Sequence, residues 1–305
     1  MGSNPTLSAT FLPPMKPTID QVREALRTHG IHADEVLFLD EGVTNWVFRA
    51  GDVVVRSSKE AEFEELHEIE ALAAPYARRC GVDTPEFLGV DFSRKHIPTV
   101  FSIYRFADGF VLGEQDFDVP RFAGIIRELG EQAALLHAGE VYPDLGEAWF
   151  PDLDDTFHML RERERLPEVE IDAIESWRDR LTIIASEYQP CLVHNDLHPW
   201  NVMVDRDRAI ILDWANAAVG DPALDFAGMP LRVVPLMLQG YQAAGGDVPL
   251  FFEAAILHRW MGRALEELDA TWPVKPWNRW PAGGLADVWL TLQSFGQPWA
   301  GLAPD

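Results

Sequence analysis

Cysteine is scarce in this chain, with two among 305 residues. Cys80 and Cys191 form neither a metal-spaced pair nor a disulfide framework, so a reducing cytoplasm is the expected compartment. No apolar run approaches the roughly 18–20 residues needed to cross a bilayer. The start, MGSNPTLSATFLPPMKPT, lacks the basic residues and long apolar stretch of a secretion signal. A membrane partner is therefore not expected. Basic residues are also few: 25 against 49 acids, a formal net charge of −24. Such a surface is ill suited to phosphate backbones, which argues against nucleic acid as a partner. It suits a cationic small molecule, although surplus acid also serves simply to keep a protein soluble. Repeats and low-complexity blocks are absent. What is present is a chain about 47% apolar, long enough for two modest domains or one large one.

The apolar pattern divides the chain. Thr18 and Gln21 have capping-box spacing ahead of QVREALRTHG, and Gly30 is a natural stop, so a first helix is predicted there. Short strands are predicted at 36–39, 46–50, 53–56, 85–92 and 99–106, the second and third joined by the hairpin turn Gly51-Asp52. Between them, residues 59–76 carry Phe63, Leu66, Ile69, Leu72 and Ala73 at helical spacing. Beyond Gly109 helices dominate, at roughly 118–138, 168–187, 230–244, 248–270 and 284–295. They are interrupted by a compact β segment: CLV (191–193), HNDLHPWN, VMV (202–204), a polar turn and AIILD (209–213). An α+β chain is expected, a β-rich lobe over 1–106 (with a tail, 1–17) and a mainly helical lobe over 107–305, hinged at 106–109.

The chemistry concentrates in His194-Asn195-Asp196-Leu197-His198-Pro199-Trp200-Asn201, followed by Asp213. The kinase template H-R-D-L-x-x-x-N is matched at His194, Asp196, Leu197 and Asn201 without a change of spacing. Phosphoryl transfer needs one carboxylate at the attacking hydroxyl, a neutral oxygen ligand near the phosphates and a second carboxylate for the metal ions. A loop feeding a tight hairpin supplies all three. The segment LVHNDLHPWNVMVD…AIILDWANAAVGDPALDFA resembles the aminoglycoside phosphotransferase family, whose segment reads H-G-D-L-H-x-x-N, then I-D-[FW] and D-P-x-x-D. Asn195 stands where that family has glycine, and Trp200 where glycine is frequent.

The resemblance implies a bilobal protein-kinase-like fold and a small-molecule kinase using magnesium and ATP or GTP. Asp196 would be the base, Asn201 and Asp213 the magnesium ligands, and Asp225 a brace of the catalytic loop, with His194 a structural member of that loop. Further matches put Arg56 on the nucleotide phosphates, held by Glu68 twelve positions on. Gly42, Thr44 and Asn45 would lie in the phosphate-covering loop, and Tyr104 to Phe106 would hold the adenine through backbone hydrogen bonds.

Each residue alone has a plainer reading: Asp196, Asn201 and Gly42 as turn residues, Asp225 as a first-turn acid after Pro222, Arg56 and Glu68 as surface residues. Their joint spacing outweighs those readings. A zinc site at His194, Asp196 and His198 lacks a second cluster and leaves Asn201 without a role. Only seven residues separate Asp213 from Asp221, and no A-P-E follows, which excludes a protein kinase's long activation segment. A small acceptor is expected, with acids between Asp108 and Glu187, and Glu253, Glu266, Glu267 and Asp269, offered to ammonium groups. Trp260, Trp272, Trp277, Trp280 and Trp289 are expected in the core. Choline, homoserine, macrolide and sugar kinases share the motif, and a non-catalytic nucleotide-binding module is the rival from another class. Nothing in the motif distinguishes ATP from GTP or marks an oligomeric interface.

Overall fold

The computed structural model describes residues 15–115, 119–139, 144–185, 188–269 and 280–304. The chain forms two compact units. One holds the described residues up to Ala71 with Glu86–Phe106, the other Leu72–Pro85 with those from Ala107 onward. The expected continuous first lobe over 1–106 is corrected here, because 72–85 bonds to the second unit. Asp83 O accepts from Ile211 N (2.8 Å), Asp83 N donates to Gln132 Oε1 (2.9 Å), and Thr84 Oγ1 accepts from Trp214 Nε1 (2.8 Å).

In the first unit, helix α1 (Ile19–Thr28) starts at Thr18, whose hydroxyl accepts from Gln21 N while Gln21 answers Thr18 N. Strands β1 (Val36–Glu41), β2 (Asn45–Ala50) and β3 (Val53–Ser58) follow, then α2 (Glu65–Arg79), which belongs to this unit as far as Ala71, and β4 (Phe87–Asp91) and β5 (Phe101–Arg105). The antiparallel sheet has the order β1-β2-β3-β5-β4, and Gly51, at φ +61°, makes the β2–β3 turn. Period-two alternation sorts the sheet's faces. Val53 and Val55 of β3 and Phe101 and Ile103 of β5 pack with Val22 and Leu26 of α1. The alternate residues Arg56, Ser58, Ser102 and Tyr104 face the other way, toward polar side chains at the start of α2.

The second unit is mostly helical: β6 (Phe110–Val111), α3 (Val119–His137), α4 (Leu153–Glu162), α5 (Glu168–Ile184), β7 (Cys191–Val193), β8 (Val202–Asp205), β9 (Arg208–Ile211), β10 (Ala218–Gly220), α6 (Leu224–Ala227), α7 (Val234–Ala243), α8 (Phe252–Asp269) and α9 (Gly284–Phe295). Helices α3 and α7 cross at glycines. A Cβ on Gly130 would lie 1.9 Å from Met237 O, and one on Gly240 1.9 Å from Arg127 O, so neither position admits a side chain. Helix α3 also clamps the β8–β9 hairpin. Glu128 accepts from Ala209 N (3.0 Å) and Gln132, one turn on, donates to Ala209 O (2.8 Å). Trp260 and Trp280 are buried and stacked with centroids 6.0 Å apart, whereas Trp289 is exposed. Trp289 thus departs from the expected core placement, and Trp272 and Trp277 lie outside the described residues. Among the described residues, no helix is long and apolar enough to cross a membrane.

Candidate active site

The catalytic-loop motif lies in the second unit between β7 and β8. Asn201 sits at the end of the short turn Pro199–Asn201, and its amide nitrogen donates to both Asp196 O (2.9 Å) and Asp196 Oδ2 (3.1 Å). His198 Nε2 lies 3.3 Å from Asp196 Oδ1, and His198 is buried. The Asp196 carboxylate is therefore approached on both oxygens by neighbours in its own loop.

Asp213 follows β9 in the left-handed region, at φ 65°. Its neighbour Leu212 ties it to the motif: Leu212 N donates to Asn201 O (2.8 Å), and Leu212 O accepts from His194 Nε2 (2.9 Å). A carbonyl can only accept, so His194 carries its proton on Nε2. Nδ1 is then the acceptor for Asp196 N at 3.3 Å. One imidazole thus links the backbone beside Asp213 to the backbone of Asp196, with its ring 4.6 Å from Trp214.

Asp225, in α6, is fully buried beneath the loop. It accepts from His194 N (3.0 Å), Asn195 N (2.8 Å) and His137 Nε2 (3.0 Å). Burial works against its charge, but the His137 hydrogen bond and the charges and amide around it outweigh that and hold the carboxyl below the ordinary carboxylate range. A depressed folded-state pKa gives stability that is present above the unfolded value of about 3.9 and is lost as pH falls below it. Asp225→Ala should accordingly cost roughly 3 kcal/mol or more, since two buried amides and His137 lose their acceptor. Urea unfolding at pH 7 measures this, and the gap between wild type and variant should narrow on acidification below about pH 4. A gap that stays constant on acidification would contradict the assignment of that stability to the ionised carboxyl.

Two departures from the family pattern have local explanations. Asn195 adopts φ 59°, a conformation that asparagine tolerates better than most non-glycine residues. Trp200 packs on Gly113, where a Cβ would come within 2.7 Å of the indole, so the glycine makes room for the ring.

In the first unit, Arg56 Nη1 donates to Glu70 Oε1, and Glu70 Oε2 accepts from Ser102 Oγ and Tyr104 Oη, each at 3.0 Å. His67 joins Ser58 Oγ (2.9 Å) to Ser102 Oγ (3.0 Å). Glu70 is 1% exposed, and Glu68 lies exposed on the same helix. In the β1–β2 turn, Gly42 N donates to Asn45 O (2.9 Å) and Asn45 Nδ2 to Thr44 Oγ1 (2.9 Å). Lys59 fastens this turn, its amide donating to Thr44 O (2.8 Å) and its ammonium to Gly42 O (2.9 Å) and Glu41 Oε1 (2.7 Å).

Residues 28–260 match the model of a phosphotransferase enzyme family designated APH. The chain belongs to that family. That family is one of phosphotransferase enzymes. Over 92 residues it is 30% identical to the uncharacterized protein YcbJ of Bacillus subtilis (strain 168), a match that spans 28% of this chain and about a quarter (26%) of that relative's length. The fold is that of solved phosphotransferases. A spectinomycin phosphotransferase in complex with ADP and spectinomycin aligns at TM-score 0.64 and 14% identity, over 95% of this chain and 98% of its own. A macrolide 2'-phosphotransferase from Brachybacterium faecium aligns at TM-score 0.61 and 21% identity, over 82% and 91%. The protein-kinase-like fold anticipated from the sequence is therefore the fold of this phosphotransferase.

One sequence expectation for the phosphotransferase changes. The partner of Arg56 is Glu70 and not Glu68, because positions 68 and 70 project about 200° apart on a helix and only the latter faces the sheet. The backbone of Tyr104 lies in the ladder between β3 and β4, and Phe106 N donates to Asp52 O (2.7 Å). The Phe106 amide is thus used within the first unit.

The acids offered to ammonium groups are largely committed elsewhere. Glu168, Asp172 and Glu175 converge on Arg161, and Asp154 and Asp179 on Arg178. Glu266 of α8 likewise faces an arginine, with Arg263 Nη1 3.8 Å away. Burial raises its pKa; Arg263 opposes that shift and the nearby charge of Asp196 adds to it. Glu253 and Glu267 are partly buried on α8, and the side chain of Asp269 lies outside the described residues. The thiol of Cys191 is pushed up first by burial and then by Asp225 and Asp221, so it stays neutral.

Sequence reasoning missed Glu70, Lys59, His137 and Arg263. For Lys59 a signal existed, a lysine closing the strand that Arg56 sits on. The others are joined to the sites only through the fold.

Proposed function

We propose that this phosphotransferase moves the γ-phosphoryl group of ATP or GTP to a hydroxyl of a small cationic acceptor, with Asp196 as the base. The observation that carries the reading is the Asn201 amide group bonded to the Asp196 carboxylate and backbone. With its nitrogen turned to Asp196, Asn201 keeps its amide oxygen for a cation. Asp213, held beside Asn201 through Leu212, adds a carboxylate. Two hard oxygens suit magnesium, which favours such donors, so Asn201 and Asp213 are the residues that would hold it. Held there, magnesium would supply charge to offset the phosphates of the nucleotide.

Asp196 then orients the acceptor hydroxyl and takes its proton as the oxygen bonds to the γ-phosphorus. The bond to the bridging oxygen breaks, and ADP or GDP leaves. Arg56, fixed by Glu70, is assigned to the phosphates, and the turn at Gly42, Thr44 and Asn45 covers them. Glu266 supports an ammonium-bearing acceptor, being a partly buried carboxylate in the field of Asp196.

Incubating the protein with magnesium and ATP or GTP against aminoglycosides, amino alcohols, macrolides, sugars and amino acids tests this by product mass. An amine-bearing compound should gain one phosphoryl group. Gain by a neutral sugar or macrolide alone would overturn the cationic acceptor and leave the reaction. Transfer to no compound, with no nucleotide hydrolysis, would favour the non-catalytic reading.

A further inference from the structure

Asn195 separates the two catalytic-loop residues His194 and Asp196 and stands where the family pattern has glycine. It holds φ 59°, and three of its polar groups are bonded. Its amide donates to Asp225 Oδ1 at 2.8 Å. Its carbonyl and side-chain oxygens both accept from Arg263 Nη2, at 3.1 and 3.0 Å. One terminal nitrogen of Arg263 has two hydrogens, so each oxygen receives one. The same guanidinium lies 5.1 Å over the exposed ring of Trp149, and its Nη1 lies 3.8 Å from Glu266. Arg263 is therefore held from three sides while it grips the residue next to Asp196.

We propose that Arg263 is a positioning residue, a clamp from α8 that keeps Asn195 in the left-handed region and so aims the Asp196 carboxylate. This rests on the assignment of Asp196 as the base. The physical reasoning concerns the choice of residue. Glycine adopts positive φ without steric cost, whereas asparagine needs support there. A chain with asparagine at this position gains that support from bonds to both of its oxygens. Arginine suits the task because its planar head can bond the loop with one nitrogen, stack on an aromatic ring and approach a carboxylate together.

The test uses magnesium and ATP with water as acceptor, which needs no identified substrate. Arg263→Ala should lower kcat for hydrolysis about tenfold or more while the KM for MgATP moves less than about twofold. Arg263→Lys should recover much of the loss. Asn195→Gly in the Arg263→Ala background should raise kcat above that of Arg263→Ala alone, because glycine needs no clamp. Thermal melts of each variant show that the protein remains folded. Hydrogen exchange of the 194–198 segment is the readout independent of turnover, and it should quicken in Arg263→Ala and slow again in Arg263→Lys. Unchanged exchange in Arg263→Ala, or losses that simply add in the double variant, would overturn the clamp. Asp196→Ala run in parallel separates the two claims: if it retains full hydrolysis, the base assignment fails, whatever Arg263 does.

Discussion

Asp196→Ala is expected to lower phosphoryl transfer by roughly 10²–10⁴-fold, the usual contribution of a positioned base. Nucleotide affinity should change little, because the assigned contacts to phosphates and metal come from other residues. Asp196→Asn is the sharper variant. It keeps the shape of the side chain and the neighbours at Asn201 and His198 but cannot take a proton. If the carboxylate acts as a base, asparagine should be nearly as poor as alanine. If Asp196 served only to hold Asn201 in place, asparagine would recover most of the activity. Single-turnover rates with saturating nucleotide, beside calorimetric titration of MgATP, separate chemistry from binding.

The second large effect is expected at Glu70. Its carboxylate is 1% exposed and accepts from Arg56, Ser102 and Tyr104. Removing one partner of a buried ion pair costs about 3–5 kcal/mol, and here Ser102 and Tyr104 lose their acceptor as well. Glu70→Ala should therefore lose that much stability in urea unfolding and raise the KM for nucleotide as Arg56 loses its anchor. Glu68→Ala, at an exposed position, should stay within about 0.5 kcal/mol of wild type with unaltered kinetics. Equal effects of the two substitutions would mean that Arg56 exchanges partners in solution.

The Glu68 expectation failed for a physical reason. Leu66, Ile69 and Leu72 suggest an inward apolar stripe on α2, yet these positions are only partly buried. The buried face runs through His67, Glu70, Ala73, Ala74 and Ala77, and begins with two polar residues. An amphipathic reading assumes an apolar interior, so a buried polar network inverts it. Where the interior is conventional, local chemistry sufficed. The Thr18–Gln21 capping box starts α1, and Gly51-Asp52 turns the β2–β3 hairpin. Strands β6 and β10, two and three residues long, are too short to carry a period. Helix α4 went unread, although Asp152 caps it and Leu153, Phe157 and Leu160 recur at helical spacing.

The active site divides in the same way. Residues of the 194–201 segment bond one another within eight positions, so spacing alone places Asp196 against Asn201. The supports come from far along the chain: Arg263 is 68 positions from Asn195, Gln132 77 from Ala209, and His137 88 from Asp225. None of these partners carries a motif of its own, and only the folded chain brings them together.

The most direct measurement is a crystal structure with magnesium and a non-hydrolysable ATP analogue. The proposed mechanism predicts a cation with Asn201 Oδ1 and an Asp213 carboxylate oxygen at about 2.0–2.1 Å. It also predicts the Asp196 carboxylate facing the γ-phosphate with room for one hydroxyl between them. A triphosphate bound with its cation remote from Asn201 and Asp213, or with Asp196 turned away from the γ-phosphate, would contradict it.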